Sequence, residues 1–244
     1  MLKRQCVILV LALVWTASSA SPTLAQWAAM NAIRLDVNMG GFRRQVLSEN
    51  SPRAANEKPE AQRRQPVVTN PASLRFTSSV PQRRQNLAAF VRSADQNELG
   101  SGAKLQAFFD AGDPVSVTQS VITPLGLRTD NLADTLSFYL LSHWMAVNGQ
   151  PAWPDRATVQ ALRRQSERTL LQSGQFRSAS NAEKQKTAEG MMISGLLTIS
   201  AYASAEGDPA ATAAIAARAA QNMQSMGLDL AALELTEAGF VPAR

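Results

Sequence analysis

Asn131 to Asn148, NLADTLSFYLLSHWMAVN, is the stretch that decides how this chain folds. Placed at 100° per residue, Leu132, Leu136, Tyr139, Leu140, His143 and Val147 share one helical face. Phe138, Leu141 and Met145 lie opposite, with Asp134 and Asn148 among them. A narrower strip of Asn131, Thr135, Ser142 and Ala146 runs between, small enough to let another helix come close. A helix apolar on two faces is the buried centre of a bundle. Thr129 or Asp130 is expected to cap its start, and Gly149 followed by Pro151 closes its end.

Working outward, helical signals fill the chain from Pro81 almost to its end. Ser79 and Pro81 open a helix whose apolar face carries Leu87, Phe90 and Val91, until Gly100 to Gly102 break it. Leu105, Phe108 and Phe109 mark a short second helix, and Val115 to Leu125 a third, closed by Gly126. Beyond the central segment, helices are expected over about Asp155 to Gln172, over about Asn181 to Ala205, and from the Asp208-Pro209 cap towards Gly227. Leu228 to Phe240 offers one or two turns. No alternating run of β-branched residues is long enough to suggest a sheet. The expected fold class is all-α, a compact bundle of about five to seven helices preceded by a disordered leader.

The first 25 residues read differently. Met1 to Gln5 is short and basic, Cys6 to Trp15 is unbroken and apolar, and small residues follow up to Thr23-Leu24-Ala25. This is the pattern of a secretory signal peptide, with cleavage after Ala25, or alternatively after Ala20. About ten apolar residues are too few to span a bilayer, which needs about 20. The single cysteine, Cys6, would leave with that segment, so no thiol, disulfide or cysteine-zinc chemistry is expected of the mature chain. Residues 26–72 read as a flexible basic leader. In it, Gly40-Gly41 stop a short amphipathic segment from Trp27 to Met39, and Ser48 to Gln65 lack the large apolar residues needed to offset the entropy of ordering. Leu74-Arg75-Phe76 is expected to dock extended on the domain, which spans 73–244.

Net charge is +5, but unevenly distributed. Gln26 to Gln85 holds ten Lys/Arg against four Asp/Glu, whereas Asn86 to Arg244 holds twelve against fifteen. The basic balance therefore lies in the leader, which argues against a basic fold gripping a specific nucleic acid. The tripeptide Arg-Arg-Gln recurs at 43–45, 63–65, 83–85 and 163–165. Its flanks share too little for a structural repeat. Arg83 and Arg84 open a helix against its dipole, so they are expected to seek an acidic partner or solvent. They are candidate binding residues.

Chemistry is constrained mainly by what the chain lacks. One histidine excludes His-pair zinc sites, and no P-loop, G-x-S-x-G or G-x-G-x-x-G motif is present. No metal site and no cofactor is implied. His143, amid Leu132, Leu136, Leu140 and Val147, reads as a packed histidine. Asp134, one turn into a helix expected to be buried, is the one candidate catalytic carboxylate. Its alternative role is a structural ion pair or helix-start contact, with Arg128 or Arg92 as partner. Trp144 and Trp153 are candidate binding residues that could together line a groove, or simply edge the core.

The block Gly126-Leu127, Asn131-Leu132-Ala133-Asp134, Tyr139 and Trp144, with Met226-Gly227-Leu228-Asp229-Leu230, Leu235-Thr236 and Gly239-Phe240, resembles a family of secreted bacterial helical proteins known only as a domain of unknown function. The resemblance covers about Leu74 to Phe240. It implies a signal peptide, a variable linker and a helical domain in a bacterial envelope or secretome, and it brings no catalytic residues. The sequence thus points to an exported, non-enzymatic binding protein of the envelope or secretome. Its partner would be another envelope or extracellular protein or an anionic polymer, and no transmembrane span is expected in the mature chain. The alternative is a small carboxylate-dependent hydrolase acting on envelope polymers.

Overall fold

The computed structural model describes residues 39–49 and 70–243, so the signal-peptide and linker readings of residues 1–38 and 50–69 lie outside it. Among the described residues are eight α-helices and one small hairpin. The helices are α1 (Gly40–Glu49), α2 (Val80–Asn97), α3 (Ser101–Asp110), α4 (Pro114–Ile122), α5 (Leu132–Val147), α6 (Arg156–Ser173), α7 (Asn181–Ser204) and α8 (Pro209–Ser225). Strands β1 (Leu233–Thr236) and β2 (Gly239–Pro242) follow them. The fold is helical, and seven of the eight helices lie in the span assigned to the domain.

As its two apolar faces require, α5 is the centre, with every residue from Leu132 to Ala146 buried. It packs against α6, α7 and α8, while α7 in turn carries α2 and α4, and α2 pairs with α3. The cap differs from expectation. Asn131 Oδ1 accepts from the Ala133 amide at 2.8 Å, whereas both Asp130 carboxylate oxygens are held by the Arg128 guanidinium. The small strip allows a close crossing with α7. A Cβ added at Gly195 would lie 2.8 Å from Phe138 Cε1 and 3.3 Å from Ser142 Oγ. The hydroxyls of Ser142 and Ser194 are buried there without partners, so these serines are present for their size.

Helix α1 falls within the span read from sequence as leader, yet it packs into the core. Gly40-Gly41 begin a helix, and the amphipathic segment they were expected to stop lies, apart from Met39, outside the described residues. Met39, Phe42 and Val46 fall at helical spacing and are all buried. Burying each such side chain contributes roughly 1.5–3 kcal/mol, which outweighs about 1 kcal/mol per glycine of lost helix propensity. Phe42 meets Phe240 edge-on, with ring centroids 6.2 Å apart. Thr169 Oγ1 of α6 donates to Gln45 Oε1 at 2.6 Å. Of Leu74-Arg75-Phe76, expected to dock extended, Leu74 and Phe76 are buried and Arg75 bridges Asn131 antiparallel, but Leu74 closes a 3-10 turn over Pro71–Leu74.

The hairpin was not expected from the sequence. Its strands are four residues each, too short to show alternation, and pair Leu235 with Phe240 and Thr236 with Gly239. Tertiary partners supply what local pattern does not. The Gln165 amide of α6 bonds both backbone groups of Phe240, donating to its carbonyl at 3.1 Å and accepting from its N–H at 2.9 Å.

Two outcomes are expected. Phe42→Ala should lower unfolding free energy by about 3–5 kcal/mol, the usual cost of a large-to-small change in a core; a denaturant midpoint equal to wild type would return α1 to the leader. Gly195→Ala should destabilise by about 1–3 kcal/mol through overpacking against Phe138, read as a drop in melting temperature.

Candidate functional site

Three buried polar clusters hold the chemistry-bearing residues. The first surrounds Asp134. One carboxylate oxygen accepts from Arg163 Nε of α6 at 2.6 Å and the other from the Arg128 backbone N–H at 2.9 Å. Arg163 also reaches Glu167, one turn along α6. Burial pushes the Asp134 carboxyl above its ordinary range, and the Arg163 guanidinium and the Arg128 amide pull it back. Both oxygens are committed to fixed donors, so the site holds α5, α6 and the 126–131 loop together. The partner is Arg163, which the sequence does not single out, together with the backbone of Arg128. Arg163 and Asp134 lie 29 residues apart, beyond the reach of local pattern.

The second cluster surrounds Glu189 on α7, a residue without distinguishing sequence context. It is almost wholly buried and accepts from Arg83 Nε at 3.2 Å, Asn86 Nδ2 at 2.6 Å and Gln185 Nε2 at 2.8 Å. Arg83 also bonds Asp113, the cap of α4, at 3.0 Å. Gln185 in turn brackets Ser79, accepting from its N–H and donating to its carbonyl, each at 2.8 Å. Arg83 thus finds an acidic partner, as its place in a first turn demands, and joins α2, α4 and α7. Arg84, its neighbour, is exposed.

The third cluster surrounds the fully buried His143. Its Nδ1 lies 2.8 Å from the Tyr139 carbonyl, which can only accept, so Nδ1 carries the proton. Nε2 is then the acceptor. Asn222 Nδ2 reaches it at 3.2 Å and also donates to Tyr139 Oη at 3.2 Å, while Thr198 Oγ1 lies 3.3 Å away. Burial without a counter-ion lowers the His143 pKa to about 4 and raises that of the Tyr139 phenol. A neutral, fully enclosed imidazole with both nitrogens used is a cross-brace between α5, α7 and α8.

The tryptophans face different neighbours. Trp144 Nε1 donates to the Leu233 carbonyl at 2.9 Å, and its ring lies beside Phe240 at 6.0 Å. Trp153 stacks on Phe138, 6.1 Å between centroids. Among the described residues, no group of three or more His, Cys, Asp or Glu could hold a metal ion, and no helix is long and apolar enough to cross a membrane.

These features define a class: a helical packing domain whose buried charged and polar side chains tie its helices together. The chain belongs to a family of unknown function, DUF6683, whose model matches residues 3–242. That match extends well before Leu74 and takes in α1. No curated protein and no solved structure matches the chain.

Two measurements check the site. Asp134→Asn removes the charge opposite Arg163 and should lower stability by about 1–3 kcal/mol, less than the ~3–5 kcal/mol of a fully buried pair because Arg163 keeps Glu167. His143 gives a pH signature. Its folded pKa of about 4 lies below its usual 6.5, so the unfolded chain binds the extra proton first and stability falls as pH drops through that window. Its share of the loss between pH 7 and pH 5 is about 2 kcal/mol. His143→Gln should flatten that part of the profile; an unchanged slope would show that other groups set it.

Proposed function

We propose that this chain is an exported bacterial protein of the envelope or secretome that works by binding a partner, without chemistry of its own. The observation that carries this reading is the commitment of Asp134. Its two oxygens hold Arg163 and the Arg128 amide, and a general acid or nucleophile needs an oxygen within reach of substrate. The enclosure of His143 supports the same reading, as do the basic start, apolar run and small residues of the first 25 positions.

A second reading, a carboxylate-dependent hydrolase acting on envelope polymers, draws on the upward push that burial gives the Asp134 carboxyl. The two separate on Asp134→Asn assayed with envelope polymers. The binding reading expects no turnover by wild type and only a lower melting temperature in the variant. Turnover that disappears in the variant would replace it with the hydrolase. Export is tested by fractionating cells that express the full chain: mature protein beginning at Gln26 or Ser21 is expected outside the cytoplasm, and an uncleaved cytoplasmic product would sink the proposal.

A further inference from the structure

We infer that the outward arginines of α1 and α6 form a docking face for a linear, phosphate-bearing polyanion. This rests on the reading of the chain as a binding protein and names the surface and the chemistry it recognises.

The two helices are locked where Thr169 Oγ1 donates to Gln45 Oε1 and where Gly41 approaches Thr169, a Cβ on the glycine falling 3.6 Å from Cγ2. Arg44 and Arg168 each immediately precede a residue of that contact. Arg43, Arg44, Arg164 and Arg168 are all exposed. In both tripeptides the glutamine is buried and the second arginine is exposed, whereas the first arginine is exposed in 43–45 and paired with Asp134 in 163–165. Gln45 and Gln165 are buried in the packing, which turns the preceding Arg44 and Arg164 outward. Along α6, Arg164 and Arg168 are successive members of one stripe, about 6 Å apart along the axis.

Charge is concentrated here. The helices α1 and α6 carry six arginines against two glutamates. One of those glutamates, Glu167, is engaged by Arg163. The remainder of residues 70–243 carries ten Lys/Arg against fourteen Asp/Glu. The described residues are near neutral on average, and the arginine surplus of these two helices stands even though Arg163 is paired with Asp134 and Glu167; α1 belongs to the segment read from sequence as leader.

Three features choose the ligand. Every cation on the two helices is arginine and none is lysine, which favours the bidentate recognition of phosphate that a guanidinium fork provides. Among the described side chains, the exposed large hydrophobic residues are Val80 and Leu99, which lie on neither helix, so among these residues no apolar wedge accompanies the charges into a bilayer. Among the described residues no exposed aromatic anchor accompanies them either, as a protein interface would need. Exposed arginines such as Arg43, Arg44 and Arg164 suit a flexible chain of phosphates, whose binding gains from released counter-ions.

The test uses the full chain and fluorescently labelled inorganic polyphosphate, with anisotropy read at 50 and 200 mM salt. Binding should weaken by about twenty- to fortyfold across that range, as about three neutralised phosphates require. Replacing Arg43, Arg44 and Arg164 together by Gln should weaken it on the order of tenfold at the lower salt. Arg164→Gln alone should give part of that loss, and Arg92→Gln, an exposed arginine on α2, none. Equal binding by the triple variant, or equal loss in Arg92→Gln, would overturn the proposal. So would tighter binding to phosphatidylglycerol vesicles through the same arginines, which would make the ligand a bilayer. Capture of the chain on isolated envelopes separates the two levels. Capture that survives in the triple variant without polyphosphate binding removes this face and leaves the binding reading. Loss of both in wild type removes both.

Discussion

Burial of α5 on every side is the constraint from which the rest of this structure follows. A helix surrounded by protein has no water to satisfy its polar side chains, so each must be met by a neighbour or be small enough to do without. Asp134 requires Arg163, His143 requires Asn222 and the Tyr139 carbonyl, and Trp144 requires the Leu233 carbonyl. Ser137 meets Ser166 Oγ at 3.0 Å. Because these partners come from α6, α8 and the hairpin, the needs of one helix fix the placement of the others. Apolar packing alone tolerates sliding; directional bonds at 2.6–3.3 Å do not.

The central helix was legible because its residues carry their own evidence: two apolar stripes, a small strip and a closing glycine. The caps at Ser79, Asp155 and Asp208 follow from the affinity of short polar side chains for unsatisfied first-turn amides. What escaped the sequence reading depends on distant partners. That Gly40-Gly41 begins a helix packed into the core depends on Phe240, some two hundred residues away, which meets Phe42. The hairpin exists because Gln165 and Trp144 wait for it. Glu189 looks ordinary in sequence because its three donors come partly from α2. The role of Asp134 was open to a structural reading, and Arg163 answers it, but no spacing rule links residues on two helices.

The arginine doublets show the same division of labour. Identical tripeptides serve unlike ends because helical phase decides which side chain is enclosed. In 83–85 the first arginine turns inward to Glu189; in 163–165 the first turns to Asp134 while the glutamine goes to the hairpin; in 43–45 only the glutamine is enclosed. A motif of this kind is informative about surface charge and silent about packing until the phase is known.

The side-chain amide of Gln165 has one more consequence. By bonding both the N–H and the carbonyl of Phe240 it presents β2 with the same donor and acceptor that an adjacent strand would offer. Trp144 occupies the outward carbonyl of Leu233 on β1 in the same manner. A two-stranded ribbon normally leaves open borders onto which another polypeptide can add itself, the first step of strand-to-strand aggregation. Here two side chains of the helical core occupy Phe240 on β2 and the Leu233 carbonyl on β1, so the hairpin offers an added strand fewer open groups than a bare ribbon would.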